Sequence, residues 1–437
     1  MYSKYVFNVL GLLLLWNPGS NAAEATSNSL PEPLTLELAL KLVDQQHPNL
    51  RAANAGIESA RAGLEQAESS DDFSASLNAE ARWIKPATIS PDQRSDDHRL
   101  ELSINKTLYD FGRSAAQIDM AGQNVLSQDL QYRNAEQQQY LTIMKRYFEV
   151  VLADLQFYRY NEEMAVAYIQ YDKIKTRQGL GQTTDIDVAE KEVEYQRIRG
   201  LRTQSQNQQR VTRALLAQAL NHPDNLPETV TRPKLDVLTR KLPEVEEIQK
   251  AAIENNPVLG ALRAQLQAAK SSMDLARSGN SPTLSGAVEA YDYARKTPSS
   301  DQWRARIILN VPLWSGNRVD AALAKAKADV YRLEADLANQ ENGLKQQVLE
   351  LWMKIETLHI KHDEMKAAMN FAELSLDKNR ALYELEVQAD LGDSMVKYSA
   401  AERNLVKNDF SIALAWAQLD ALSGKLLNKN NEQNLIK

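Results

Sequence analysis

Asn105-Lys106-Thr107-Leu108-Tyr109-Asp110-Phe111-Gly112-Arg113 returns about 205 residues later as Asn310-Val311-Pro312-Leu313-Trp314-Ser315-Gly316-Asn317-Arg318. His47-Pro48-Asn49-Leu50 is echoed in the same order by Asn256-Pro257-Val258-Leu259, and Asp185-Ile186 by Asp390-Leu391. One half of the chain therefore repeats the other. We place the first repeat at 34–221, the second at 244–424 and a proline-bearing linker between them at 222–243.

Upstream of each junction the residues alternate. Phe73, Ala75, Leu77, Ala79, Ala81 and Trp83 are apolar, and Ser74, Ser76, Asn78, Glu80 and Arg82 between them are polar. Leu100, Leu102 and Ile104 alternate in the same way with Arg99, Glu101, Ser103 and Asn105. A period of two over such a length is what a strand needs if its two sides meet different surroundings, and a membrane-spanning strand needs about 9–11 residues. The spacing predicts strand pairs at 73–83 with 99–109 and at 282–293 with 302–313, the last interrupted by Ile308. Trp83 and Trp303 fall at strand ends, where membrane barrels carry aromatic girdles.

Downstream of each junction the chain turns helical. Of the 14 prolines, none lies between Pro91 and Pro223 and none follows Pro312. Proline costs about 3 kcal/mol in a helix interior, so these two stretches are predicted to be helices. Gly179-Leu180-Gly181-Gln182-Thr183-Thr184 breaks the first, and the softer region 386–393 breaks the second. That gives helices at 113–178, 185–220, 318–385 and 390–424, the long ones near 100 Å at 1.5 Å per residue. Leu344, Val348, Leu351, Ile355, Leu358, Met365, Met369, Ala372, Leu376 and Tyr383 follow three-four spacing, with His362 and Asn379 filling the remaining places, as in a coiled-coil seam.

The bulk properties narrow the function. The chain has 437 residues and a formal charge of −7, with acidic residues spread along it. That balance argues against nucleic acid as a partner, which calls for a basic stripe. Lys4, the apolar run 6–16 and Ser20-Asn21-Ala22 read as a signal peptide over 1–22. No other run reaches the ~20 apolar residues of a spanning helix, so any membrane span must be made of strands. The chain has no cysteine, which excludes thiol chemistry, disulfides and a lipid-carrying cysteine. Four strands cannot close a barrel, since the smallest membrane barrels have eight, and lipid does not tolerate an open edge. Strands in a membrane would thus have to be shared between chains.

Together these residues resemble the TolC-like outer-membrane efflux family over roughly 34–424. Leu108-Tyr109-Asp110-Phe111-Gly112-Arg113 and Leu313-Trp314-Ser315-Gly316-Asn317-Arg318 look like its strand-to-helix junctions, with Tyr109, Gly112, Arg113, Trp314, Gly316 and Arg318 the telling residues. Leu36-Glu37-Leu38-Ala39-Leu40 with His47-Pro48 resembles its opening helix, and 181–190 its periplasmic helix turn. The resemblance implies a mainly α chain with a small β part. Its long coiled-coil helices would form an α-helical tunnel, and four membrane strands per chain would join a shared barrel in a homotrimer. It also implies a bacterial outer-membrane location with a long periplasmic extension, contact with the lipid bilayer, a periplasmic adaptor (membrane fusion) protein and an inner-membrane ABC or proton-driven pump. The function expected is a passive export duct without catalysis or cofactor. The Tyr109-Asp110-Phe111-Gly112-Arg113 form is similar to members serving type I secretion. Multidrug or small-molecule efflux, and a periplasmic coiled-coil scaffold without a pore, remain as alternatives.

The family closes its periplasmic mouth with acidic side chains, and the matching positions are Asp185, Asp390 and Asp393. Each also stands where an aspartate caps or begins a helix, so capping and gating are both open. His359 and His362 share a helix with Asp363 and Glu364, but only His362 lies on the seam, so we read them as packing residues and expect no metal site. The tyrosines from Tyr140 to Tyr171 read as packing between helices. The residues 425–437, rich in Asn, Gln and Lys, read as a disordered tail.

Overall fold

The computed structural model describes residues 30–43, 45–295, 300–385 and 390–427. The expected signal peptide, half of the 386–393 break (386–389) and residues 428–437 lie outside them. The described residues form eight α-helices and one antiparallel sheet, a mainly α fold with a small β part. The first repeat contributes α1 (Leu36–Lys41), α2 (Pro48–Glu68), β1 (Phe73–Glu80), β2 (Arg99–Tyr109), α3 (Arg113–Gly179) and α4 (Asp185–Ala219). The second contributes α5 (Val245–Asn255), α6 (Pro257–Arg277), β3 (Thr283–Tyr293), β4 (Trp303–Asn310), α7 (Arg318–Glu384) and α8 (Leu391–Leu422).

Equivalent residues start equivalent helices. His47 and Asn256 occupy the N-cap positions of α2 and α6, accepting hydrogen bonds from Asn49 N (3.2 Å) and from Val258 N and Leu259 N (2.9 and 3.1 Å). Pro48 and Pro257 then take the first helical position, where a missing N–H costs nothing. Both long helices have 67 residues, about 100 Å at 1.5 Å per residue. Each starts at the sheet, so α3 and α7 end at the same depth below it.

The sheet order is β1-β2-β3-β4, antiparallel throughout. β1 ends at Glu80, short of the predicted Trp83. Pairing continues past it only irregularly, through Asp97 N–Arg82 O and Ile84 N–Ser95 O bonds and an isolated Trp83–Asp96 bridge. β4 stops at Asn310, where its partner β3 begins at Thr283 and before Pro312, which has no N–H to pair. Ile308 interrupts the apolar alternation because it belongs to the other face, opposite Ser285.

Below the sheet the helices make one layer. Next to the strands the order is α2-α3-α6-α7, and further down it is α4-α3-α8-α7. The apolar core is a single belt about midway along, built from α1, the middle of α3, the end of α4, α5, α6, the α7 seam and the second half of α8. Phe148 of α3 stacks on Phe410 of α8 at 4.2 Å, and Tyr147 donates its hydroxyl to Leu34 O and Thr231 O (2.9 and 2.7 Å). Of the predicted α7 seam, Leu344, Val348, Ile355 and Ala372 are buried. The polar seam places find partners on α8: His362 Nδ1 lies 2.8 Å from Asp409 Oδ1, and Asn379 donates to the Ser394 hydroxyl. Tyr383 departs from the seam and is exposed, because it sits one residue from the end of α7.

The linker is fastened to this belt rather than free. Leu34 pairs with Val230 in a parallel bridge. Arg240 binds Asp420 of α8 with two bonds (2.7 and 2.9 Å) and covers Trp416 at 4.1 Å. Of the stretch 425–437 read as a disordered tail, Leu426 is fully buried in the core and Leu427 packs against it; residues 428–437 lie outside the described residues.

Asp420 is only 3% exposed, and removing one partner of a buried ion pair costs about 3–5 kcal/mol. Arg240→Ala should therefore lower stability by about that amount in thermal unfolding, while Arg240→Lys, which keeps the charge without the fork, should lose less.

Candidate functional site

The sheet has two faces of opposite character. On one, the register brings together Leu77 with Leu102, Ala75 with Ile104, Ile104 with Val288 and Val288 with Ala305. These apolar side chains stand open; Leu77 is 65% and Ile307 77% exposed. Charged groups reach this face only towards its two ends, Asp292 at the hairpin end and Lys106 at the helix end, where a snorkelling side chain meets the headgroups. On the opposite face Glu80 meets Arg99 at 3.1 Å. There Glu289 accepts from the Tyr291 hydroxyl at 2.6 Å and pairs with Arg304 and Arg306. An apolar face beside a charge-paired one is the division a water-filled barrel requires.

Aromatic groups mark both ends of the apolar face. Trp83 and Trp303 lie at the hairpin end, 72% and 70% exposed, Trp83 edge-on to His98 at 5.2 Å. The helix end carries a second group that the sequence reading overlooked as a girdle: Phe73, Tyr109, Phe111 and Trp314, all exposed, with Tyr109 and Phe111 in edge contact at 4.7 Å. The signal for it was present in the junction motif itself, whose aromatics stand one strand length from the tryptophans.

At the first junction Phe111 and Gly112 both adopt positive φ (58° and 89°), turning the strand into the helix. Asp110 caps the new helix: its Oδ1 accepts from Arg113 N (3.1 Å), and its Oδ2 from Ser114 N (2.7 Å) and the Ser114 hydroxyl. Burial raises the affinity of Asp110 for a proton, yet these hydrogen bonds together hold its pKa below the ordinary carboxylate range. At the second junction Gly316 takes the left-handed conformation (φ 64°) and Ser315 donates to Asn280 Oδ1 at 2.7 Å. Arg113 and Arg318 are the first residues of their helices.

The predicted acidic residues all lie at the far tips. Thr184 caps α4 in a reciprocal box with Asp187, while Asp185 accepts from Gln178 Nε2 across the turn at 2.6 Å. In the second tip Asp390 is the N-cap of α8, accepting from Asp393 N at 3.3 Å, and Asp393 pairs with Lys397. Asp390 and Asp393 thus have capping and pairing roles within the chain. Gly392 has a steric reason: a Cβ there would stand 2.6 Å from Val166 Cγ2, so glycine lets α8 approach α3 closely. Among the described residues no cluster of side chains fit to hold a metal is present, and no helix is long and apolar enough to cross a membrane.

Asp187 has its pKa lowered, first by the Thr184 hydroxyl, then by Thr184 N–H and the Thr183 hydroxyl. A carboxylate with a depressed folded pKa stabilises above its ordinary range and loses that contribution as pH falls through the depressed value. Hydrogen-exchange protection of the first α4 turn should thus fall as pH drops below about 4. Asp187→Asn should already show reduced protection at neutral pH and remove the acid step.

This geometry agrees with known proteins. Solved structures that share the fold include the Campylobacter jejuni CmeC outer membrane channel (14% identity, TM-score 0.74, 92% of this chain and 89% of that one), VceC, an outer membrane protein of Vibrio cholerae (16%, 0.66, 92% and 96%), and the open state of the Neisseria gonorrhoeae MtrE outer membrane channel (18%, 0.70, 90% and 89%). No curated protein matches the sequence. The sequence pattern of the family described as outer membrane efflux protein matches residues 39–222 and 248–425, one segment per repeat, and the chain therefore belongs to the outer membrane efflux protein family.

Proposed function

We propose that three copies of this chain form a passive duct through the outer membrane, serving type I protein secretion. The family is one of outer-membrane channels with a long periplasmic helical tunnel. The observation that carries the finer reading is the sheet: neither face is covered along β1, and both edge strands end the sheet among the described residues. In lipid, unpaired backbone groups cost several kcal/mol each. Three four-stranded sheets make a closed barrel of ordinary size, with the apolar face outward and the Glu80–Arg99 and Glu289–Arg304 pairs lining water. Trp83 and Trp303 would then form the outer aromatic girdle, and the junctions would set the helices beneath the barrel as a tunnel. An adaptor protein would join the duct to an inner-membrane pump, which would supply the energy.

Type I secretion is favoured over small-molecule efflux by the Tyr109-Asp110-Phe111-Gly112-Arg113 form and by the lack of any cysteine to carry a lipid. Deleting the gene should remove specific proteins from the medium. An unchanged secretome with raised drug sensitivity would move the assignment to small-molecule efflux.

Asp185, Asp390 and Asp393, repeated by symmetry at the far tips, would ring the periplasmic mouth and attract cations. Purified protein in a planar bilayer should give discrete, cation-preferring conductance steps. Asp390→Asn with Asp393→Asn keeps a competent cap at Asp390 but removes the charges. That variant should raise conductance or open probability by about a factor of two and weaken the cation preference. Unchanged steps would exclude these residues as the constriction.

A further inference from the structure

The two outer helices of the layer, α4 and α7, each carry a second stripe with exposed apolar side chains that nothing among the described residues covers. On α4 the buried side is Ile198, Ser205 and Thr212 at seven-residue intervals, facing α3. The opposite side repeats with the same period as Ile186, Val193, Gly200 and Asn207, joined by Val211. Ile186, Val193 and Val211 are exposed. On α7 the buried side is Leu344, Val348, Ile355 and Ala372. The far side presents Met353, Ile360, Ala367, Phe371 and Leu374, with Phe371 73% exposed. Seven-residue spacing holds a stripe on one side of a helix over this distance.

Gly200, like Gly63, Gly122 and Gly343 in other helices, meets nothing among the described residues that requires a glycine. Glycine is the costliest residue but proline inside a helix, and a Cβ there would meet open space. A close neighbour from outside would require one.

We propose that Phe371 of one copy seats over Gly200 of the next, a knob on α7 filling the hollow that glycine leaves on α4. This deepens the homotrimer reading above and rests on it. Three observations choose a second copy as the occupant. First, β1 and β4 are the edges of the sheet just as α4 and α7 are the edges of the helical layer, so one contact continues the other. Second, α4 runs towards the sheet and α7 away from it, so placing α7 beside the next α4 continues the antiparallel alternation of α4-α3-α8-α7 without a break. Third, the heights agree. α3 and α7 end at equal depth, and Gly200 and Phe371 each stand about 20 Å above the start of α4 and the end of α7, with Val193 and Leu374 at about 12–15 Å.

The chain has no cysteine, so an introduced pair reports alone. Gly200→Cys with Phe371→Cys in the full chain, oxidised in outer membranes, should give covalent species of two and three chains at least tenfold above either single variant. Gly200→Leu should lower the detergent-resistant oligomer at least tenfold, and Phe371→Ala in the same chain should restore it. Absence of both the ladder and the rescue, while light scattering still reports three copies, would overturn this contact and leave the trimer standing. A monomer in every variant and in the parent protein would overturn the trimer reading and the contact with it.

Discussion

An antiparallel sheet placed in hydrocarbon must leave no backbone N–H or C=O unpaired, and the described residues supply only four strands. That constraint organises the rest of the molecule. β2 and β3 are paired on both sides, whereas β1 and β4 end the sheet among the described residues. Because strand order follows chain order, the free edges belong to the first strand of the first repeat and the last strand of the second. Duplication thus produces a segment whose two ends are chemically alike in backbone and opposite in direction. In the proposed trimer such a segment is extended by further copies of the chain running the same way round, and the curvature of a barrel would bring the series back to its start.

The helices inherit this arrangement. Left-handed residues at Phe111, Gly112 and Gly316 turn strands into helices of equal length. The helices carry the wall about 100 Å away from the sheet. A wall so thin cannot be held by a thick core. Its apolar packing is therefore concentrated in one belt, where α1, α5 and the linker thicken the layer, and Arg240–Asp420 and Tyr147 tie the linker into it. Away from the belt, narrow seams hold the helices in register. Polar contacts such as His362–Asp409 and Asn379–Ser394 punctuate the α7–α8 seam, and a polar group in such a seam penalises any other register.

Much of this was legible in the sequence because the signals were periodic. Period two between Phe73 and Ala79 signalled a strand with two different surroundings, and the missing prolines pointed to helix for the long stretches. The repeated junction motif joined the two signals. What escaped the sequence lay in contacts between distant segments. Gly392 reads as a local oddity until Val166 of α3 is found against it. Arg240 reads as a linker charge until Asp420 is found beneath it. Asp390 and Asp393 kept two readings because one pattern, an acidic pair at a helix start, serves both a cap and a charged ring. The lower aromatic group was missed because Tyr109, Phe111 and Trp314 were read for the turn they make and not for the height at which they stand.

The account rests on the edge strands being paired by neighbouring copies. Amide hydrogen exchange of the protein in lipid nanodiscs measures this directly, strand by strand. The account predicts that β1 and β4 exchange as slowly as β2 and β3, since all four have partners on both sides in the closed barrel. Rapid exchange of the outward amides of β1 and β4, with β2 and β3 protected, would contradict it.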